Sequence, residues 1–175
     1  MTSNQRRQAI CNYLKSAQEP VTGNQLSEQF NVTRQVIVSD VALLRAKGEQ
    51  IISTPQGYLY NLLDEPIAQI KIAAQHSSDH EQIRNELYLI VDNGATAQDV
   101  IVEHPLYGEI TASLHISSRH DVDQFIYKLA TSNAEPLLVL TEGLHLHTLT
   151  AKDLETLRRV EQVLKEHEFL ASDLK

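Results

Sequence analysis

The sequence predicts an α+β protein in two parts: three helices and a β-hairpin first, then a mixed or antiparallel sheet covered by helices. Three observations lead there. Apolar residues recur at helical spacing up to Lys47, and threonines stand ahead of the second and third helical runs. After Pro66, β-branched runs alternate with helical ones, joined by connections too short for many parallel crossovers. The charge balance also changes between the halves. Residues 1–60 carry Arg6, Arg7, Lys15, Arg34, Arg45 and Lys47 against Glu19, Glu28, Asp40 and Glu49, a balance of +2, so the remainder of a chain of net charge −8 carries −10. Such asymmetry is expected of two domains with different partners. The expected domains are 1–63 and 67–175, with Asp64-Glu65-Pro66 as the linker.

In chain order, Ala9, Ile10, Tyr13, Leu14 and Ala17 mark a first helix over about Asn4 to Ala17, closed by Glu19-Pro20. Thr22-Gly23-Asn24-Gln25 is a capping box for a short helix from Gly23 to Phe30. Asn31-Val32 turns the chain, Thr33 caps a third helix to about Lys47, and Gly48 stops it. Gln50 to Thr54 and Tyr58 to Leu62 are β-prone, and Pro55-Gln56-Gly57 reads as the three-residue tip between them. In the second part, Ile67 to Gln75 reads as a strand, and Ser78-Asp79-His80-Glu81 as a capping box for a helix through Ile83, Leu87, Ile90 and Val91 that ends at Asn93-Gly94. Strands are expected over Asp99 to Glu103, Glu109 to Ile116, Pro136 to Leu140 and Leu144 to Leu149. Helices are expected over Arg119 to Thr131 and, behind a cap signal at Thr150-Ala151-Lys152-Asp153, over Lys152 to His167.

Composition removes several classes. No stretch approaches the ~18 to 20 apolar residues of a membrane span, and the N-terminal segment, with Asn12 and Lys15 inside it, lacks the apolar core of a signal peptide. Cys11 is the single cysteine, which rules out an intrachain disulfide. A reduced, cytoplasmic protein with no membrane partner is expected.

The third helix carries the sharpest signal in the first part. With Ile37, Val41 and Leu44 as its buried face, Gln35, Ser39, Ala42 and Ala46 point the other way at about 100° per residue. That face is small or polar and free of acids, and Arg34 and Arg45 flank it. A groove-reading helix needs small residues for close approach, an amide for base edges and guanidinium groups for phosphate or guanine. Asp40 weakens the basic character but sits off this face, at about 300° from Ile37. The alternative is a helical hairpin that packs on a partner protein. The run Leu26, Val32-Thr33-Arg34-Gln35, Val41, Leu44-Arg45-Ala46-Lys47-Gly48, followed by a Gly57-Tyr58 hairpin, resembles the winged helix-turn-helix of biotin-repressor-like regulators. The DNA-facing set is then Thr33, Arg34, Gln35, Ser39 and Arg45.

Eight histidines fall at 76, 80, 104, 115, 120, 145, 147 and 167. His145-Leu146-His147 alternates within a β-prone run, so both imidazoles leave one face of the strand as a natural pair of metal ligands. His76 lies at the mouth of the preceding strand, and Glu86, about two turns into the next helix, could aim at the same point. His80, near the helix start, competes with His76. Such donors suit Zn²⁺, Ni²⁺ or Fe²⁺ without choosing among them. His115, His120 and His167 read as surface or core residues. In His104-Pro105-Leu106-Tyr107-Gly108, proline and glycine build a sharp turn; His104 and Tyr107 are either bystanders of a hairpin or lining for an effector pocket.

The second part resembles the three-histidine, or 3H, domain. The matching runs are Ile72 to His76, Glu86 to Gly94, Asp99 to Gly108 and Leu140 to Thr148. With the winged helix, nearly every residue after Asn4 resembles the niacin-responsive transcriptional repressors of Gram-positive bacteria and their relatives. The resemblance implies a winged helix-turn-helix joined to an α+β 3H domain, a homodimer, and a divalent metal held by His76, Glu86, His145 and His147. One departure leaves the first ligand open between His76 and His80: the segment from His76 to Glu86 is about two residues longer than the family pattern. The implied function is a repressor whose operator binding is enhanced by nicotinate or a close analogue, controlling NAD biosynthesis or niacin uptake genes. Two rivals are a regulator that senses the metal itself and a metal-dependent hydrolase. The sequence offers the hydrolase no second acid or base at a required spacing.

Overall fold

Threonines open all three N-terminal helices. In the computed structural model, which describes residues 1–61 and 68–172, Thr2, Thr22 and Thr33 are the N-caps of α1 (Ser3–Ser16), α2 (Gly23–Phe30) and α3 (Arg34–Ala46). Each side-chain oxygen accepts a backbone N–H one turn on, which satisfies an otherwise orphaned donor. Asn31 closes α2 in the left-handed region, at φ 50°, a conformation asparagine tolerates better than most residues. The chain divides into two compact units, Met1–Glu65 and Pro66–Lys175. The expected linker lies outside the described residues, as do Leu62 and Ile67.

The N-terminal core is formed by Ile10, Cys11, Leu14, Val21, Leu26, Ile37, Val41, Leu44 and Ile51. Burying each large aliphatic side chain contributes about 1.5–3 kcal/mol, so the stripes on α1, α2 and α3 dictate how the helices meet. The hairpin β1 (Ile51–Thr54) and β2 (Gly57–Tyr60) is tighter than the sequence predicts. Thr54 pairs with Gly57 across a two-residue loop, so Gly57 belongs to the strand and not to the tip. Gly57 has a further reason to be glycine. Val21 and Tyr58 exchange backbone hydrogen bonds of 2.9 and 2.8 Å, which adds the α1–α2 connection to the hairpin. A Cβ at Gly57, where φ is +138°, would sit 2.6 Å from the Val21 carbonyl oxygen.

Asp40 behaves differently from its sequence reading as an acid that dilutes the basic patch. It is buried, at 3% exposure. Arg6 Nε donates to its Oδ2 at 2.6 Å, and Arg7 Nη1 to its Oδ1 at 3.2 Å. Two of the six basic residues of the first part therefore bind α1 to α3 instead of contributing free positive charge.

The C-terminal unit contains β3 (Ala68–Gln75), α4 (His80–Asp92), β4 (Thr96–His104), β5 (Gly108–Ile116), α5 (Arg119–Thr131), a 3₁₀ helix (Leu137–Thr141), β6 (Leu144–Ala151) and α6 (Leu154–Glu166). The sheet order is β3-β6-β4-β5, with every described pairing antiparallel. One face of the sheet, with Ile72, Ala97, Ile116 and Leu149, packs against Ile83, Leu87 and Ile90 of α4, Val122 and Ile126 of α5, and Leu157, Val160 and Leu164 of α6. Residues 170 and 171 bond back to β3, through the Ala74–Leu170 bridge and the Ala171 N–H to Ala73 carbonyl bond.

Three local expectations need correction. Residues 136–140 do not extend as a strand. Pro136 precedes the 3₁₀ helix, and the chain leaves it through Glu142 in the left-handed region at φ 52°; a run of apolar residues carries no period that separates strand from short helix. Ser78 is not the cap of α4, because Asp79 takes that place with its carboxylate on the Glu81 amide. Thr150 stays in β6, and Asp153 caps α6 through the Thr156 amide. In both helices an aspartate nearer the first turn displaces the hydroxyl residue, since a carboxylate also meets the positive end of the helix dipole.

A Gly57→Ala variant should lose more than about 1 kcal/mol, because it forces an L-residue to positive φ and presses a methyl group into a backbone carbonyl. A lowered urea midpoint for the N-terminal transition is the expected result, and an unchanged midpoint contradicts the packing argument.

Candidate metal centre and nucleic-acid interface

β3 and β6 run antiparallel in a register that sets Ile72 opposite His147 and Ala74 opposite His145. The two histidines are two apart on one strand and project onto the helix-covered face. α4 packs on that face with Glu86 turned inward beside Leu87 and Ile90. His76 follows the last residue of β3, against β6. Gly143 allows that approach: its φ is +96°, and a Cβ there would collide with the His76 carbonyl oxygen.

Four polar side chains thereby meet in an apolar interior. Glu86, His145 and His147 are 2%, 2% and 3% exposed, and the His76 side chain is 4% exposed. Glu86 Oε2 lies 2.7 Å from His76 Nε2, 3.4 Å from His145 Nε2 and 3.5 Å from His147 Nε2. The rings stand edge-on, with centroids 4.9 Å apart for His76–His145 and for His145–His147.

The outer ring nitrogens decide what the inner ones can do. His76 Nδ1 bonds the Ser77 carbonyl at 2.8 Å, His145 Nδ1 the Gly143 carbonyl at 2.8 Å, and His147 Nδ1 the Asp99 carbonyl at 2.5 Å. A carbonyl oxygen only accepts, so each Nδ1 is the donor. In a neutral imidazole the lone pair is then on Nε2. Three lone pairs face one carboxylate oxygen, which is itself an acceptor. Glu86 Oε1 is buried with no hydrogen-bond partner. Such an array requires positive charge at its centre, either protons or a cation. Donors about 2.0–2.1 Å from a divalent transition ion lie roughly 3.0–3.4 Å from their neighbours, and the Nε2-to-carboxylate separations fall around that range. The ligand atoms of His76, Glu86 and His145 all lie within 4.8 Å of one another.

Electrostatics follow the same geometry. Burial pushes the Glu86 carboxyl up, but the charge of His147 and the hydrogen bonds of all three imidazoles outweigh it and hold the group well below the usual carboxylate range. Burial pulls His76 and His147 down, and Glu86 more than compensates, so both end above the ordinary imidazole value.

The remaining histidines stand apart from this cluster. His80 is the first residue of α4 and is half-buried; among the described residues it is His76 that reaches Glu86. His120 and His167 are exposed. His115, at φ 50°, bonds Gln98 at 3.1 Å through Nδ1, and burial lowers its pKa. His104 and Tyr107 occupy the β4–β5 turn, where the Leu106 and Tyr107 amides donate to His104 Nδ1 at 3.1 and 3.3 Å. Tyr107 is 74% exposed. The structure does not bring either of them into contact with the four-residue cluster, but antiparallel pairing puts their turn at the same end of the sheet as Gln75 and Leu144. Asp99 and Gly143 escape sequence reasoning as parts of the site. A backbone carbonyl leaves no residue-type signal, although the Glu142-Gly143 turn just before the histidine pair is visible.

In the N-terminal unit, the exposed face of α3 presents Arg34, Gln35, Ser39, Ala42, Arg45 and Ala46, while Ile37, Asp40, Val41 and Leu44 are buried. Thr33 is exposed but uses its hydroxyl to cap the helix, at 3.4 Å from the Val36 amide. Arg34 lies across the start of α2, so that a Cβ at Gly23 would be 3.3 Å from its Nε and 3.7 Å from the Tyr58 ring. The helix face, the α2 N-terminus and the hairpin are therefore adjacent. No helix of the described residues is long and apolar enough to cross a membrane.

Comparison with known proteins agrees with both halves. A 3H-domain family model matches residues 69–173, and a helix-turn-helix family model matches residues 6–59. The chain is 43% identical over 173 residues to "Transcription repressor NadR" of Bacillus subtilis (strain 168), covering 96% of this chain and 94% of that protein. It is 41% identical over 169 residues to "Probable transcription repressor NiaR" of Thermotoga maritima, covering 97% and 95% of the two chains.

The pKa directions predict how the metal-free protein responds to pH. The raised His76 and His147 contribute stability that is complete below the ordinary imidazole value of about 6.5 and is lost as pH rises through their higher folded values. Glu86 contributes above its ordinary value and loses that contribution only as pH falls through its depressed one. His115 has the opposite sign to His76 and His147, but its contribution is already complete above about pH 6.5. In chelator, the urea midpoint of the C-terminal unit should therefore fall as pH rises above about 6.5, and a rise over that range would contradict the assignment.

Proposed function

The chain belongs to the family of transcription repressors that join an N-terminal helix-turn-helix domain to a C-terminal 3H domain, and we propose that nicotinate strengthens its hold on operator DNA through a metal-loaded 3H domain. It is a regulator and not an enzyme. The observation that carries the sensor reading is the convergence of three Nε2 lone pairs on the buried Glu86 carboxylate. His76, Glu86, His145 and His147 are the proposed ligands, with His76 in the first position. Three imidazoles and one carboxylate suit Zn²⁺, Ni²⁺ or Fe²⁺. Bound there, such an ion would supply an electrophile able to attract a pyridine nitrogen or a carboxylate.

The effector class rests on the resemblance of the chain to niacin-responsive repressors. His104 and Tyr107 are the proposed effector contacts at the β4–β5 turn. With its Nδ1 accepting two amides, His104 keeps its proton on Nε2, a donor suited to a carboxylate, and the exposed Tyr107 ring offers a stacking surface. On DNA, Gln35 and Ser39 read base edges while Arg34, Arg45 and the Thr33 backbone meet phosphates. The proposed working form is a cytoplasmic homodimer on inverted half-sites, with units 1–63 and 67–175 as the reader and the sensor. Effector acts by binding one dimer geometry better than the other.

Fluorescence anisotropy on an inverted-repeat operator tests this reading. Nicotinate should tighten binding by the metal-loaded protein. A His147→Ala variant should keep basal DNA binding and lose the response. If the metal alone switches binding and saturating nicotinate adds nothing, the protein senses metal and the effector claim falls. Gln35→Ala should lower operator discrimination by about 1–3 kcal/mol, whereas Arg45→Ala should weaken binding to all sequences and reduce the salt slope by about one.

A further inference from the structure

β4 does not run smoothly beside β6. Ala97 pairs with Leu149, and the next pairing along is Ile101 with Leu146, so four steps on β4 match three on β6. The extra residue is a bulge, a device that re-aims backbone groups and recurs beside functional sites. Asp99 lies inside it. Two groups of Asp99 reach across to consecutive residues of β6. Its carbonyl accepts from His147 Nδ1 at 2.5 Å, and its carboxylate Oδ1 accepts from the Thr148 amide at 2.8 Å. His147 and Thr148 are 3% and 6% exposed, so water offers neither of them a substitute partner. Gln98 braces the bulge against both neighbouring strands. Gln98 Nε2 donates to Thr150 Oγ1 at 2.7 Å, and its Oε1 accepts from His115 Nδ1 at 3.1 Å.

The three histidines of the cluster are oriented by unequal supports. His76 bonds the carbonyl of the next residue, and His145 that of Gly143 two residues back. Both are local and come with the turn. His147 instead depends on a carbonyl 48 residues away in sequence, on another strand. Its ring orientation is therefore only as good as the alignment of β4 with β6 at the bulge.

We propose that Asp99 is the positioning residue of the site: its carboxylate pins the Thr148 amide, which keeps the Asp99 carbonyl in place to fix the His147 tautomer and aim its Nε2 at Glu86. Asp99 touches no ligand atom on the Nε2 side. This inference rests on the metal reading above. Removing the carboxylate leaves the carbonyl but unpins it and strands a buried amide, so the cost falls on the metal site and not only on the strand.

Co²⁺ titration of the full-length protein in competition with a chromogenic chelator, read together with the visible d–d spectrum of the loaded protein, tests it. Asp99→Ala should weaken Co²⁺ binding roughly 10- to 100-fold and shift the d–d bands. Asp99→Asn, whose side-chain carbonyl still accepts the Thr148 amide, should stay within about threefold of wild type, with the wild-type spectrum. Wild-type affinity and spectrum in Asp99→Ala would overturn the proposal and leave the metal reading intact. Wild-type protein that takes up no Co²⁺ would overturn both. Nitrogen NMR of the zinc-loaded wild type needs no variant: a His147 proton on Nδ1 is the expected result, and a proton on Nε2 would overturn the proposal.

Discussion

A buried carboxylate cannot be left among hydrogen-bond acceptors. That constraint organises the C-terminal unit. Glu86 faces three imidazole nitrogens whose outer partners are all carbonyls, and only positive charge reconciles them. Much of the surrounding backbone serves this arrangement. The β3–β6 register places His145 and His147 beneath α4. The left-handed Glu142 and Gly143 let the His76 backbone close against the start of β6. Phe169 sets its ring edge-on to His76, 5.5 Å away, and bonds the Gln75 amide. The hydrophobic face of the sheet holds these pieces together, and the polar cluster supplies a reason for their irregular geometry.

The N-terminal unit follows a comparable logic with a different charged group. Asp40 sits on the inward side of α3 and is compensated by two arginines from α1. A buried ion pair of this kind adds little net stability, but removing one partner leaves a charge that has no water. The result ties the helix that presents Gln35, Ser39 and Arg45 to the helix behind it. The overall basic excess of the first part is thus smaller in effect than its residue count, because Arg6 and Arg7 are committed internally. Arg34 sits where α3, the start of α2 and the hairpin adjoin, Arg45 lies on the exposed face of α3, and that local placement matters more for meeting phosphate than the net charge of the chain.

Most helices were legible because their signals are local. A threonine followed by a glutamine three residues on, or an apolar residue every third or fourth position, acts within a turn or two of the chain, and α2 and α5 begin and end where their residues indicate. The apolar run 136–140 was not legible, because without polar alternation strand and 3₁₀ helix look alike. Pro55-Gln56-Gly57 reads as a turn from residue type alone, yet its glycine answers to Val21, far away in sequence. The candidate site divides in the same way. The alternation of His145 and His147 is a strand property, visible at once. The choice of His76 over His80 is not, since both lie near the mouth of α4, and only the pairing of β3 with β6 brings one of them to Glu86.

By itself, the sequence determined the two-part plan, the exposed face of α3 and the residue types of the histidine–carboxylate cluster, because period, caps and charge balance are properties of short segments. Tertiary structure decided which nitrogen of each histidine faces inward, which acid pairs with arginines and which faces imidazoles, and where β4 departs from its partner strand. Those outcomes depend on backbone carbonyls and on strand register. A carbonyl belongs to every residue alike, and a register is shared between segments dozens of residues apart, so neither leaves a trace in the order of side chains.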